Sequence, residues 1–191
     1  MERIGGERLV EKVISDINQV SQEVLVVTSK EQLATICSLD LQAKIVVDIY
    51  PGKAAFGGIY TGLAAASSNY GLVVACDMPF LNICLLDYLV RNSSGFDVVI
   101  PRVEGKIEPL HAVYSKNCLK QIVQLLEKNI LQMLQLLDIV KTKYITDNEV
   151  NLFDPDHLSF FNINTLKDFN EANRINSKFD KKVNTHNQVN P

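Results

Sequence analysis

An apolar run, Leu72-Val73-Val74-Ala75, leads directly into Cys76-Asp77-Met78-Pro79-Phe80-Leu81. Four apolar residues in succession, without alternation, read as a strand buried on both faces, as in a parallel sheet covered by helices. Pro79 has no donor for a ladder and stops it two residues after the carboxylate. Asp77 is thereby placed just past the C-terminal end of a strand. In open α/β sheets ligands bind outside those ends, and an Asp there is well placed to hold a divalent metal against a phosphate.

The rest of the chain supplies such a sheet. Leu9, Val10, Val13, Ile14, Ile17 and Val20 recur at helical spacing. Strands follow at Val24–Val27 and Ala43–Val47, with a short helix over Gln32–Ser38 between them. Gly52 to Gly58 forms a glycine-bearing loop before a helix of small residues. After the Asp77 loop come a helix over Asn82–Arg91, a strand Asp97–Ile100 stopped by Pro101, a turn at Glu104-Gly105 and a strand Leu110–Tyr114. Two helices fill Asn117–Val140, the second starting near Asn129. A strand over Lys143–Ile145 and a last helix over Thr165–Arg174 complete the order. The alternation predicts a three-layer α/β fold around a mostly parallel sheet. Residues 1–176 make one domain, and the polar stretch 177–191 is expected to be an unstructured tail.

Three strands in succession end in polar groups, Thr28-Ser29, Asp48 and Asp77, which a parallel sheet brings to one edge. Two carboxylates meeting there make a candidate metal and nucleotide site. The plainer alternative is that both aspartates cap their own turns. Gly52–Gly58 matches neither the dinucleotide fingerprint nor the Walker loop, and glycines before a helix commonly serve turns and packing. Glu108-Pro109-Leu110-His111 offers a carboxylate and an imidazole, although a lone His at a strand start is more often structural. Asn162 and Asn164 precede the last helix, where Asn164 or Thr165 can serve as N-cap and the amides could equally bind a polar heterocycle.

Composition narrows the classes. A net charge of −3 gives no electrostatic footprint for nucleic acid, and no apolar run approaches the ~20 residues of a membrane helix. Cys37, Cys76, Cys84 and Cys118 form no Cys-x-x-Cys pair and read as reduced core thiols of a cytoplasmic protein. Three scattered histidines argue against zinc.

Taken in order, several segments resemble the molybdenum cofactor guanylyltransferase family. They are Ile4-Gly5-Gly6, Asp48, Ala54-Ala55-Phe56-Gly57-Gly58, Ala75-Cys76-Asp77-Met78-Pro79-Phe80-Leu81, Pro101-Arg102, Glu108-Pro109-Leu110-His111-Ala112-Val113-Tyr114 and Phe161-Asn162-Ile163-Asn164-Thr165. The resemblance spans roughly residues 2–175. It implies a Rossmann-like fold of the nucleotide-diphospho-sugar transferase type. It also implies a reaction, in which the terminal phosphate of molybdopterin attacks the α-phosphorus of Mg²⁺-bound GTP and releases pyrophosphate. Asp77 would then be the catalytic Mg²⁺ ligand, and Thr28 and Asp48 would contact the nucleotide. Gly57 and Gly58 would belong to the loop closing over it, and Asn162 and Asn164 would lie on the molybdopterin side. Partners in cofactor biosynthesis or molybdoenzyme maturation go with that role.

Two departures stand against the family pattern. Its Gly-Pro-Leu before the paired small residues reads Ala54-Ala55-Phe56 here. Its opening strand, with Leu-Ala-Gly-Gly and Arg-Met-Gly-x-x-Lys segments that hold the triphosphate, has no counterpart in this sequence. That strand is central in the family, so the fold is expected to lack its first strand, with a gap between two strands that should flank it and an impaired phosphate site. Two further readings compete: a non-catalytic relative that binds molybdopterin or a protein, and a transferase of the same fold using another acceptor or base.

Overall fold

The computed structural model describes residues 3–186. Gly5 and Gly6, both at positive φ, turn β1 (Arg3–Ile4) back on β2 (Glu7–Arg8). The chain then enters α1 (Leu9–Ile17), whose apolar stripe includes the buried Leu9, Val10, Val13 and Ile14. β3 (Leu25–Thr28) and β4 (Lys44–Val47), joined through α2 (Leu33–Cys37), pair in parallel. Next come α3 (Ala54–Ala65), β5 (Tyr70–Val74) and α4 (Ile83–Arg91). β6 (Val98–Val103), β7 (Lys106–Ile107) and β8 (His111–Ser115) follow, then α5 (Cys118–Glu127), α6 (Met133–Leu137), β9 (Thr142–Ile145), α7 (Asp147–Asn151) and α8 (Leu166–His186).

The expected mostly parallel sheet is instead mixed. β6 pairs with β9 in parallel but with β7 and β8 antiparallel, and β5 pairs with β8 antiparallel. The cause is local. Glu104 and Gly105 lie at φ 50° and 79°, the positive values of a tight hairpin turn. The hairpin folds the chain back beside β6, and β8 lodges between β6 and β5. β6 also runs through Pro101 rather than ending there. The Pro101 carbonyl accepts from Glu108 N at 3.1 Å, at the break between β7 and β8, where a missing donor interrupts no ladder.

Further expectations shift in the same physical terms. Asn129, at φ 55°, ends α5 instead of starting the next helix, with Ile130 N donating to Leu125 O at 2.8 Å. α8 continues past Arg174 to His186, into the stretch read as an unstructured tail, and residues 187–191 lie outside the described residues. Of the four cysteines only Cys118 is buried, so the reading as core thiols holds for it alone; all four are free of disulfides. Burial beside the Asp97 carboxylate pushes the Cys118 thiol up to about 12.

The sheet is divided. β3–β4 forms one piece and β5–β8–β6 with β7 and β9 another, with no ladder between β3 and β5. Two helices bridge the division from opposite sides. On one side, Val10 and Ile14 of α1 pack with Val24 and Val26, while Val13 packs among Leu72, Val74 and Met78. On the other side, Gly62 of α3 faces the Val27 side chain and the next residue, Leu63, lies against Gly71 of β5. The gap expected between flanking strands is thus present, framed by α1 and α3.

His111 is fully buried at the start of β8, its ring 4.9 Å from that of Phe160 in an edge-on arrangement. Neither ring nitrogen has a hydrogen-bond partner. Burial lowers its pKa from 6.5 to about 3, so the ring is neutral in the folded protein. The unfolded chain takes up that proton first. Stability is therefore present above the unfolded pKa and is lost as pH falls towards the folded one. His111→Leu is expected to flatten this loss. From about pH 7.5 to pH 5 the unaltered chain should lose roughly 2 kcal/mol more than the variant, read from urea midpoints.

Candidate active site

The strand ends form two banks on either side of the divided sheet. On the first bank, Thr28 is buried at the end of β3, and its carbonyl accepts from Asp48 N at 2.8 Å. The Asp48 carboxylate is held inward. Its Oδ1 accepts from Tyr50 N and from Thr61 Oγ1, both at 2.9 Å. Thr61 Oγ1 in turn accepts from Ile49 N at 3.2 Å, so α3 is pinned to the loop that follows β4.

Gly57 and Gly58 do not lie in a loop, as expected, but in the opening turns of α3. Their roles differ. A Cβ at Gly57 would stand 2.4 Å from Tyr50 O and 2.9 Å from Asp48 Oδ2. Gly57 is therefore required by the close approach of the Asp48 turn. A Cβ at Gly58 would meet nothing within 4 Å. Ala54 opens the helix at φ 48°, a conformation that favours glycine. This is where the sequence departs from Gly-Pro-Leu, and the departure leaves an alanine in a strained position. Lys53, beside it, donates to Asn129 Oδ1 at 2.8 Å.

The second bank carries Asp77. Its carbonyl accepts from Ile163 N at 3.0 Å, and its Oδ1 is buried without a hydrogen-bond partner. The loop from Asp77 to Asn82 is clamped by the segment before α8. Asn82 N donates to the buried Ser159 Oγ at 2.9 Å, and Asn82 Nδ2 to Phe153 O at 2.8 Å. Asn82 Oδ1 caps α4 by accepting from Leu85 N. Ser159 N is itself held by the buried Asp154, whose Oδ2 lies 2.7 Å away. Ser159, Asp154 and the capping role of Asn82 were not anticipated; only the N-cap preference of Asn before a helix hinted at the last.

Asn162 is half-buried and donates to Phe160 O at 3.1 Å. Asn164 is exposed, and the N-cap of α8 is Thr165 rather than Asn164. Thr165 N donates to Asp168 Oδ2 at 2.9 Å, and Asp168 N returns a bond to Thr165 Oγ1. The chain thus brings Thr28, Asp48 and Gly57 together on one bank, and Asp77 beside the Asn162–Asn164 segment on the other. Glu108 and His111 make no side-chain pair, their contact being His111 N donating to Glu108 O at 3.1 Å; burial raises the Glu108 carboxyl and keeps His111 neutral. A cleft of about 370 Å³ opens beside the Asp77 loop, lined by Lys12, Pro79–Asn82, Asp154, Asp156, Leu158 and Asn176, but includes neither Asp48 nor Asp77.

Among the described residues no three His, Cys, Asp or Glu side chains cluster to hold a metal. A hard cation such as Mg²⁺ is commonly bound by one or two carboxylates with substrate phosphates supplying the rest. A buried carboxylate oxygen without a donor, at a strand end, suits that mode of binding.

The fold defines the class, an α/β nucleotidyltransferase. Over 93% of this chain and 89% of its own, the structure of molybdopterin-guanine dinucleotide biosynthesis protein A from Archaeoglobus fulgidus superposes with a TM-score of 0.80 at 28% identity. The model of the MobA-like NTP transferase domain matches residues 1–140. A "probable molybdenum cofactor guanylyltransferase" of Peptoclostridium acidaminophilum is 31% identical over 179 residues, 90% of this chain and 79% of the relative. One of the same name from Natranaerobius thermophilus is 34% identical over 185 residues, 93% and 88% of the two chains. The chain belongs to the MobA-like NTP transferase family.

The two glycines of α3 are separable by experiment. Gly57→Ala is expected to destabilise the fold by about 1–3 kcal/mol, because Tyr50 O and Asp48 must move. Gly58→Ala is expected to be neutral or to stabilise by up to about 1 kcal/mol, as alanine favours the helix. Thermal or urea unfolding of the two variants reads the difference.

Proposed function

We propose that this chain is a nucleotidyltransferase that transfers GMP from GTP to molybdopterin, forming the guanine dinucleotide cofactor in the cytoplasm. The observation that carries the reading is the unpartnered, buried Oδ1 of Asp77 just beyond β5, in a chain that belongs to this family. Asp77 would hold Mg²⁺, and the metal when bound would neutralise charge on the reacting phosphates. The residues around it position. Ser159 and Asn82 fix the Asp77 loop, so the carboxylate is placed before substrate arrives. Thr28 and Asp48 contact the nucleotide from the other bank, and Asp48 keeps Oδ2 beside Gly57 for that purpose. Asn162 and Asn164 face the pterin, with the exposed Asn164 amide free to exchange water for a heterocycle.

A triphosphate concentrates charge and needs several amide donors with a cation at close range. The two banks contribute carboxylates, so GTP binding is expected to require Mg²⁺, read by calorimetry with and without the metal. Asp77→Ala should lower GMP transfer by about a thousandfold or more while leaving the circular dichroism unchanged. Near-normal turnover with Mg²⁺ would remove Asp77 from the chemistry.

The pterin side has its own test. Asn162→Ala with Asn164→Ala should weaken molybdopterin binding about tenfold or more and leave GTP affinity within about twofold. Because Thr165 caps α8, this double variant should keep its unfolding midpoint within about 1 kcal/mol of the parent. Equal weakening of GTP binding would move these residues to the nucleotide side.

A further inference from the structure

The Asp77 loop and the two pterin-side amides hang on one support. Residues 153–163 hold the loop at both of its ends. Ile163 N donates to Asp77 O at 3.0 Å, while Ser159 Oγ accepts from Asn82 N at 2.9 Å and Phe153 O from Asn82 Nδ2 at 2.8 Å. Between these ends the Phe80 ring of the loop lies 5.9 Å from the Phe161 ring of the segment. On its other side the loop is fixed by packing, since Met78 and Leu81 are buried with Val13 of α1 and Leu86 of α4. The two ends of the loop differ in what holds them. The Asn82 end rests on Ser159, which the buried Asp154 carboxylate fixes in turn by accepting from Leu158 N at 3.1 Å and Ser159 N at 2.7 Å. The Asp77 end rests on Ile163.

Ile163 stands between the two residues assigned to the acceptor. The chain is extended from Phe161, at φ −72° and ψ 117°, until Asp168 Oδ2 accepts from Asn164 N at 3.2 Å and Thr165 N at 2.9 Å. Along an extended chain successive side chains take opposite faces. Exposure follows that rule: Ile163 is buried with Ile4, Leu9 and Ala172, whereas Asn162 is half-buried and Asn164 exposed. The asparagines therefore present their carboxamides on the face away from the core, and the peptide group between them holds the main chain of Asp77.

We propose that Ile163 is a positioning residue that couples the acceptor to the metal site. Molybdopterin held by Asn162 and Asn164 fixes the backbone between them, and the Ile163 N–H passes that order to Asp77. This rests on the reading of Asp77 and of the two asparagines given above. Its physical basis is shared ordering. Each ligand restricts the same few residues, so the one that binds second finds the ordering already done. The coupling is positive and reciprocal: the pterin tightens the cation by the factor by which the cation tightens the pterin. Asp77 then reaches its best placement only when an acceptor is in place, which favours transfer over loss of the nucleotide to water.

The test uses Mn²⁺ as the probe on the intact chain, its binding read from the electron paramagnetic resonance of the free ion. It is titrated with and without dephosphorylated molybdopterin, a form with no phosphate to attract the cation directly. The pterin should tighten Mn²⁺ by about fivefold or more, and Mn²⁺ should tighten the pterin equally. Replacing Ile163 by its α-hydroxy acid puts an ester oxygen in place of the N–H and keeps the side chain. The coupling should then fall to about twofold or less. A second measurement needs no variant: in the unaltered chain, hydrogen exchange of the Ile163 amide should slow by about tenfold or more on adding either ligand alone. Mutual tightening that survives the ester overturns the inference and leaves the proposed function standing. So does binding of both ligands with no effect on each other or on the Ile163 amide. Failure of molybdopterin to bind in either form, or Mn²⁺ binding that Asp77→Ala does not weaken, overturns both, so the two failures are distinguishable.

Discussion

Everything in this structure depends on α1 and α3 holding together a sheet that backbone hydrogen bonds do not hold together. A sheet is ordinarily continuous because each strand satisfies its neighbour's donors and acceptors. Here the β3–β4 piece is attached to the rest by the apolar face of α1, by α3 and by the Glu23–Ser67 contact. Apolar packing fixes distance and tilt well but fixes register weakly, since it has no direction. The two banks of the candidate site sit on the two pieces, so their relative placement is set by the less directional of the two forces. That accounts for the elaborate local bracing on each bank. Asp48 ties down Tyr50 and Thr61, and the Asp77 loop is clamped by Ser159, Asp154 and Ile163.

The bracing also explains why some residue types recur. Gly57 is needed because Asp48 and Tyr50 crowd the start of α3, while Gly58, next to it, has open space. Ala54 adopts a positive φ that an alanine adopts only under constraint, and the surrounding turn over-determines it.

Much of the fold was legible from pattern. The strand before Asp77, the apolar stripe of α1 and the turn at Glu104-Gly105 followed from local rules and each stands in the structure, although β5 is partly exposed along its length instead of buried on both faces. What escaped was non-local. The turn at Glu104-Gly105 signals a hairpin, but nothing in the sequence of β8 says that it inserts between β5 and β6. A strand buried throughout, such as β8, looks the same in a parallel and in an antiparallel interior, because burial on both faces erases the alternation that would distinguish them. The same blindness hid Ser159, a serine whose importance lies in accepting a backbone donor 77 residues away. Asn164 and Thr165 could not be told apart as caps until Asp168 was seen to close the reciprocal pair with Thr165.

His111 shows how a motif can be conspicuous without being chemical. It stands in a stretch that resembles the family, near a glutamate and close in sequence to the site. Yet the ring is sealed against Phe160 and donates to nothing. An imidazole that stays neutral down to about pH 3 cannot serve as a base of ordinary strength near neutrality. Its burial instead makes the core beside the Asp77 loop costly to protonate, so the ring acts on stability through the unfolded chain's proton uptake. Asp77 is the opposite case. Its unpartnered oxygen is also buried, but it lies just beyond the end of β5, in the loop held by Ile163 and Asn82. Position relative to the end of β5, more than residue type, sets the proposed metal ligand apart from the sealed imidazole.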